Sequence, residues 1–183
     1  MKIVIATPFY PPDTEPMAVY AKKLAEILSK QHDVAVVAYV RFPENSFGVR
    51  IFSVDKRWPL VVRLILYTIT LFCVMRKSDI LYAENGASVE LPAAMATAIL
   101  RRPFFIHSGD KVAEARSSKK FFLGKIRRFA KRQAVGEIGD TPIDRPEILP
   151  FGLPSKGTKA EYDESWNKHI KQLLENFEHA GRH

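Results

Sequence analysis

The first 25 residues constrain the fold of this chain most. A short apolar run, Ile3-Val4-Ile5-Ala6, leads into a segment with three prolines among residues 8–12 and then into a helical pattern. Proline fixes φ and lacks a backbone N–H, so this segment continues neither a strand nor a helix. The pattern predicts a strand, a stiff loop and a helix. In an open parallel sheet ligands bind beyond the carboxyl ends of the strands, so we expect the loop to border a site.

Strand and helix patterns then alternate along the chain. Apolar runs of strand length occupy residues 33–40, 49–54, 79–83 and 103–107, and helical spacing of apolar residues covers 17–31 and 87–100. Unbroken apolar strands are typical of a sheet covered on both faces. This alternation predicts an α/β fold with a doubly wound parallel sheet, of the Rossmann-like kind.

Residues 58–75 form a segment that is apolar on nearly every side and is interrupted by Arg63. A helix that spans a membrane needs about 20 apolar residues, and this segment is slightly shorter and carries a charge. The sequence favours a buried or partly surface-associated helix. Membrane insertion of residues 59–75 stays open as the alternative.

A formal charge of +8 at pH 7 is concentrated in one basic segment, residues 116–132. A helix over residues 112–134, with a break near Ser117 or Gly124, would place Phe121, Phe122 and Phe129 beside these cations. That composition is typical of a helix on an anionic surface, and an ordinary solvated face is the alternative. We expect four cations to form a membrane-facing surface: Lys119, Lys120, Arg127 and Arg128.

The last part of the chain is predicted to add one helix to the same domain. Residues 136–154 contain several prolines and read as a connector with at most one short strand. Tyr162, Trp166, Ile170 and Phe177 then recur at helical spacing, so the tail should dock as a final helix. We therefore divide the chain into a Rossmann-like domain, residues 1–157, and a C-terminal helical tail, residues 158–183, packed on it.

The sequence lacks the familiar cofactor motifs. It has no P-loop, no G-x-G-x-x-G and no cysteine or histidine pair at metal-ligand spacing, so no cofactor and no metal is predicted. The single cysteine, Cys73, lies in an apolar run and is predicted to be a core residue. Met1-Lys2 leads directly into a strand without a signal-peptide pattern. A cytoplasmic protein is expected, with peripheral association at the inner face of the membrane as an open addition.

Several segments carry a resemblance to a known family. The segment Ile3 to Asp13, with Pro8-Phe9-Tyr10-Pro11-Pro12, the segment His32-Asp33-Val34 and the segment Ser78-Asp79-Ile80-Leu81-Tyr82-Ala83-Glu84-Asn85 are similar to the amino-terminal, acceptor-side domain of retaining glycosyltransferases with the GT-B fold, family 4-like. About the first 110 residues are covered. The resemblance implies one Rossmann-like half of a GT-B fold and transfer of a sugar from a nucleotide-sugar to a lipid-linked or saccharide acceptor.

The resemblance also suggests site residues. His107, which follows the fifth predicted strand, would act as the catalytic group, because a histidine there can orient a hydroxyl or move a proton. A loop histidine without a role is an equal alternative. Glu84 and Asn85, after the fourth strand, could hydrogen-bond sugar hydroxyls, although helix capping by Asn85 is an equal alternative. The predicted acceptor-binding set is Tyr10, Asp13, Glu84, Asn85 and Asp110.

Two departures from the family pattern affect the donor side. Thr14, Glu15 and Pro16 form the predicted donor-phosphate loop, but Glu15 and Pro16 stand where the family has adjacent glycines, so a diphosphate would be repelled. The family's donor-binding second domain finds no room between the connector and the tail helix. The sequence therefore reads as a two-domain enzyme whose donor domain is missing, and the isolated chain is expected to be inactive.

Three functions compete at this point. The first is an acceptor-binding glycosyltransferase domain that needs a separate donor domain or a homo-oligomer. The second is a non-catalytic partner subunit that kept the fold and lost the chemistry. Nucleic-acid binding through the basic segment is weaker, since base stacking needs exposed aromatic rings and these phenylalanines look buried or membrane-facing.

Overall fold

The computed structural model describes residues 1–84, 86–108, 121–139 and 159–181. Within these residues the chain forms six strands and five helices. The strands are β1 Lys2–Thr7, β2 Asp33–Tyr39, β3 Val49–Val54, β4 Ile80–Glu84, β5 Phe104–Ser108 and β6 Gly136–Gly139. The helices are α1 Pro16–Leu28, α2 Leu60–Met75, α3 Ala87–Leu100, α4 Phe121–Gln133 and α5 Lys159–Ala180.

All six strands pair in parallel in one sheet, in the order β3-β2-β1-β4-β5-β6. The chain builds the sheet outward from β1 in one direction and then returns to add β4 on the other side. Strands β1, β2 and β4 are buried along almost their whole length, as their unbroken apolar sequences predict. The order therefore places the reversal point between β1 and β4.

Helices cover both faces of the sheet. Helices α1 and α5 pack on one face, around Ile5, Tyr82 and Phe105. Helices α2, α3 and α4 pack on the other, around Val4, Leu81 and Ile106. The alternation of side chains along each strand separates the two cores. The predicted doubly wound parallel sheet is confirmed.

The C-terminal helix α5 is docked on the sheet through the predicted apolar stripe. Its buried side chains include Trp166, Leu173 and Phe177, and the Phe177 ring lies 5.3 Å from the ring of Phe105 in β5. This confirms the docked helix. The proposed division between residues 157 and 158 lies outside the described residues.

Helix α2 buries only one side. Tyr67, Leu71 and Met75 face the sheet, whereas the apolar side chains of its opposite side are exposed. The prediction that Cys73 is a core residue was wrong, because Cys73 lies on this exposed side. Among the described residues no helix is long and apolar enough to cross a membrane.

Helix α4 and strand β6 complete the described part of the chain. The helix runs through Gly124 without interruption, while Ser117, the other position considered for a break, lies with residues 112–120 outside the described residues. Strand β6 is the short strand expected in the connector. Gly136 allows β6 to approach β5, because a Cβ atom there would lie 2.9 Å from Cε1 of Phe105.

Candidate functional site

The reversal point between β1 and β4 is where an open parallel sheet forms a binding crevice. The carboxyl end of β1 is Thr7 and that of β4 is Glu84, and the two strands are hydrogen-bonded neighbours. The proline loop leaves β1 here, and helix α3 begins just after β4. The loop that was predicted to border a site therefore lies at the reversal point of the sheet.

A row of three polar side chains crosses this end of the sheet on the α1–α5 face. The Thr7 hydroxyl donates to Oε2 of Glu84 over 2.5 Å. Glu84 is paired in register with His107 of β5, so the side chains of Glu84 and His107 lie on the same face of adjacent strands. The structure thus brings together two predicted site residues, Glu84 and His107, with Thr7, which the sequence analysis did not single out. Its signal was present, since Thr7 ends an apolar strand in the same way as Glu84.

His107 lies inside β5 rather than after it, and its side chain is only 1% exposed. Its ring stacks on Tyr20 of α1 at a centroid distance of 5.2 Å and on Tyr82 at 5.8 Å. The row of polar side chains is therefore covered by aromatic rings from α1 and β4. In this conformation His107 packs against the two tyrosine rings and does not face an open crevice, and its catalytic role stays a prediction.

A buried hydrogen-bond network continues from these rings into the C-terminal helix. The Tyr20 hydroxyl lies 2.9 Å from that of Tyr82 and 2.7 Å from Nε2 of His169 in α5. Burial of hydroxyl groups is costly unless they are hydrogen-bonded, so the network fixes α1, β4 and α5 relative to one another. Helix α5 therefore helps to fix the positions of Tyr20 and Tyr82, whose rings cover the polar row.

The proline loop is held rigidly, but its predicted acceptor-binding residues have different environments. Tyr10 is fully buried and its hydroxyl lies 2.9 Å from Oγ of Ser46. Burial raises the pKa of the Tyr10 hydroxyl, so it stays protonated. Asp13 is largely buried and forms an ion pair with Lys56. Tyr10 and Asp13 thus hold the loop in place, and their contact with an acceptor stays a prediction.

The predicted donor-phosphate residues lie at the start of α1. Thr14, Glu15 and Pro16 are exposed, Glu15 is the N-cap and Pro16 opens the helix. A helix N-terminus attracts anions through its free N–H groups, but Pro16 lacks one and Glu15 adds a negative charge. The geometry at this position matches the expected repulsion of a diphosphate, and repulsion itself stays a prediction.

A cavity of about 340 Å³ opens beside the loop. Asp13 and Thr14 line it, together with Lys22 and Glu44, whose side chains form an ion pair of 2.7 Å. The cavity therefore offers both signs of charge and hydroxyl oxygen. Groups of this kind can hydrogen-bond a polyhydroxylated ligand.

Helix α3 starts at the other side of the crevice. Gly86, its N-cap, has φ 148°, a conformation that only glycine adopts readily. The Gly86 N–H donates to Oε1 of Glu90 over 3.3 Å. Burial raises the pKa of Glu90, and this effect exceeds the opposing influence of the Arg127 and Lys131 charges. Asn85 and Asp110, both predicted to bind acceptor, lie outside the described residues.

The predicted membrane-facing cations are not arranged as the sequence suggested. The Arg127 side chain is only 11% exposed, and its guanidinium lies 4.0 Å from the Glu137 carboxylate of β6. Arg127 therefore points toward β6 rather than solvent, a position that does not favour the predicted contact with lipid, which stays a prediction. Arg128 is exposed, whereas Lys119 and Lys120 lie outside the described residues. In the described part of the chain no three metal-ligating side chains converge on one point.

Comparisons with known proteins agree with the fold. No protein-family model and no curated protein sequence matches the chain. Solved structures do match. The UDP-GlcNAc 2-epimerase of Methanocaldococcus jannaschii gives a TM-score of 0.55 at 11% identity, and the match covers 93% of this chain and 49% of the epimerase chain. The Neisseria meningitidis UDP-GlcNAc 2-epimerase bound to UDP-GlcNAc gives a TM-score of 0.52 at 13% identity, and the match covers 96% of this chain and 53% of the epimerase chain.

A third match is Anabaena HepE in complex with UDP and glucose, with a TM-score of 0.50 at 18% identity, covering 75% of this chain and 37% of HepE. The chain thus spans about half the length of these proteins or less. At such low identity the likeness concerns the fold alone. The chain accordingly has the α/β fold of one Rossmann-like half of a GT-B protein.

Proposed function

We propose that this chain is the acceptor-binding half of a GT-B nucleotide-sugar enzyme of the glycosyltransferase type. The observation that supports this most is the reversal of a parallel sheet between β1 and β4, with Thr7, Glu84 and His107 in one row at the carboxyl ends of the strands. The matched UDP-GlcNAc 2-epimerases and HepE have the same fold, and HepE and the Neisseria epimerase are complexes with UDP or a UDP-sugar. A saccharide or lipid-linked saccharide is the proposed ligand of this half.

The donor is proposed to come from a separate donor-binding domain. Glu15 and Pro16 occupy the position at which a diphosphate would approach the start of α1. The negative charge and the missing N–H both oppose phosphate binding there. The chain alone should therefore bind nucleotide-sugars weakly and transfer no sugar.

Titration calorimetry with UDP, UDP-GlcNAc, UDP-glucose and guanosine diphosphate sugars measures donor binding by the chain alone. We expect no binding in the micromolar range, and micromolar binding would overturn the proposed division of labour. Saturation-transfer NMR with a panel of mono- and disaccharides measures acceptor binding, and we expect a response from at least one saccharide.

A variant that fills the loop cavity tests where the saccharide binds. Thr14 is exposed and lines the cavity, so Thr14→Trp should place an indole in it and abolish the saccharide signal. Gln31→Trp adds the same ring to an exposed position beyond the opposite end of α1 and serves as the matched control. Loss of the signal in both variants, or in neither, would contradict the assignment to this cavity.

A second candidate function is a non-catalytic partner subunit. It is favoured by the burial of Tyr10, Glu84 and His107, which are each at most 1% exposed and engaged in contacts within the fold. A catalytic group must reach its substrate, and these three do not reach the surface in this conformation. A chain that binds no saccharide but forms a stable complex with a GT-B donor domain would support this alternative.

A further inference from the structure

The outward side of α2 is an exposed apolar surface. Val61, Ile65 and Ile69 are each more than half exposed, at 66%, 53% and 55%. They recur at spacings of four residues, so they form one stripe along the helix. Val62 and Leu66 widen the stripe, and Trp58 and Leu60 lie exposed at the start of the helix. Large contiguous apolar surfaces of this kind mark interaction sites.

The surface continues onto the two neighbouring helices of the same layer. Helices α2, α3 and α4 pack side by side on one face of the sheet. Met95 and Ile99 on α3 and Phe129 on α4 are exposed. Because the three helices share one outward direction, these residues and the α2 stripe belong to one side of the molecule. We call it the apolar face, and its members are Trp58, Leu60, Val61, Val62, Ile65, Leu66, Ile69, Met95, Ile99 and Phe129.

The helices on this side expose charges of one sign, although neighbouring acidic residues, Asp55 and Glu137, pair with Arg57 and Lys131. The segment 56–78, which contains α2, has Lys56, Arg57, Arg63, Arg76 and Lys77 and no acidic residue. Helix α4 likewise carries only cations, and the single acidic residue of α3, Glu90, is buried. Helix α5, on the opposite face of the sheet, carries both acidic and basic residues. The excess of positive charge therefore lies on the same side of the molecule as the exposed apolar groups.

These features fit a lipid surface better than a protein copy. Two copies meeting through this face would bring like charges together, which opposes association. An interfacial helix, in contrast, buries an apolar stripe in the acyl boundary while cations at its ends contact anionic headgroups. Arg76 and Lys77 follow α2, so cations stand at its carboxyl end, while Arg57 before the helix is paired with Asp55. Trp58 occupies the position at which tryptophan anchors such helices.

We propose that the apolar face docks the protein on an anionic phospholipid bilayer, with α2 lying in the plane of the interface. The basic helix α4, on the other side of α3, then contributes attraction, and Arg127 takes no part because it faces β6. This inference is independent of the proposed function, since it needs neither a sugar nor a nucleotide. Its test uses vesicles that contain neither.

The binding test is flotation with vesicles of phosphatidylcholine, with and without phosphatidylglycerol. The protein should float with the anionic vesicles, should not float with the neutral ones, and should be released as salt is raised. The triple variant Val61→Gln, Ile65→Gln, Ile69→Gln should lower the partition coefficient at least about tenfold, since three apolar groups no longer enter the bilayer. Unchanged flotation of this variant would overturn the proposal.

A matched control removes the same kind of side chain elsewhere. Phe42 and Phe47 lie in the loop between β2 and β3 and are 69% and 100% exposed. The variant Phe42→Gln, Phe47→Gln should float like the wild type. If it loses binding as fully as the triple variant, the apolar face is not the docking surface. Circular dichroism and the melting temperature show whether each variant is folded.

Trp58 provides a second readout that does not depend on any change to α2. The chain has two tryptophans, of which Trp58 is 54% exposed and Trp166 is 1% exposed. On binding, Trp58 fluorescence should shift to shorter wavelength and be quenched by lipids brominated near the start of their acyl chains, and Trp58→Phe should abolish this response. Flotation without quenching would place another surface on the lipid, and absence of flotation by the wild type would refute bilayer docking altogether.

Discussion

Glu90 lies in the first turn of α3 with its carboxyl group almost completely buried, facing the Gly86 N–H and the charges of Arg127, Lys131 and Glu137. Burial removes a carboxylate from water, and this raises its pKa above the usual value. The native state therefore holds the Glu90 proton more tightly than the unfolded chain does. The contribution of this group to stability is full below the unfolded pKa and falls as pH rises toward the native pKa.

Glu90→Gln should remove this dependence, because glutamine keeps an oxygen for the Gly86 N–H and has no proton to lose. The free energy of unfolding of the wild type, relative to the variant, should fall as pH rises above about 4, the ordinary pKa of a glutamate. Urea denaturation at a series of pH values measures it. Glu164→Gln, on the exposed side of α5, is the matched control and should show no such trend. A wild type that gains stability over the variant as pH rises would refute the argument.

Residue positions at strand ends could be predicted from the sequence, whereas their exposure could not. Glu84 and His107 follow apolar runs, so their location at the carboxyl edge was predictable from periodicity. Their burial depends on Tyr20 and on α5, which come from distant parts of the chain. Arg127 illustrates the same limit, since its inward direction depends on Glu137 in a later strand.

Among the elements, α2 shows what an apolar sequence leaves undecided. Hydrophobicity on nearly every side gives no hydrophobic stripe, so the sequence does not indicate which side meets the sheet. The side is chosen by Tyr67, whose hydroxyl donates to the Val37 carbonyl over 2.9 Å and whose ring stacks on Tyr39. Cys73 then faces outward because it lies away from Tyr67, Leu71 and Met75.

Helix α5 is the element whose removal should cost most. Ending the chain at Gly157 would expose the apolar core between α1 and the sheet, and Trp166→Ala alone would leave a large cavity there. The loss for Trp166→Ala should be about 3–5 kcal/mol of unfolding free energy. Glu175→Ala, an exposed position on the same helix, should change it by less than about 0.5 kcal/mol. Equal melting temperatures for the two variants would show that α5 is not docked as described.

For the whole molecule, strand order predicts a gradient of local stability. Strands β1 and β4 lie at the centre of the sheet under helices on both faces, whereas β3 is an edge strand with exposed residues. Hydrogen exchange should therefore be slowest at Ile5 and Tyr82, and at least about tenfold faster at Ile51. Amide exchange followed by NMR, corrected for intrinsic rates, measures the gradient. Protection of β3 equal to that of β1 would show that the sheet opens only as one unit.

The contact between Tyr20 and His169 joins residues 149 positions apart. During synthesis the chain emerges from its amino terminus, so β1, α1 and β4 are available long before α5 exists. Until α5 has been synthesised, Tyr82 and Phe105 lie on a sheet face that α1 covers only in part. Contacts of such high sequence separation also form slowly, because the chain must close a long loop first. We therefore expect changes in α5 to lower the yield of folded protein during synthesis and to raise its dependence on chaperones. These effects should appear before any measurable loss of equilibrium stability.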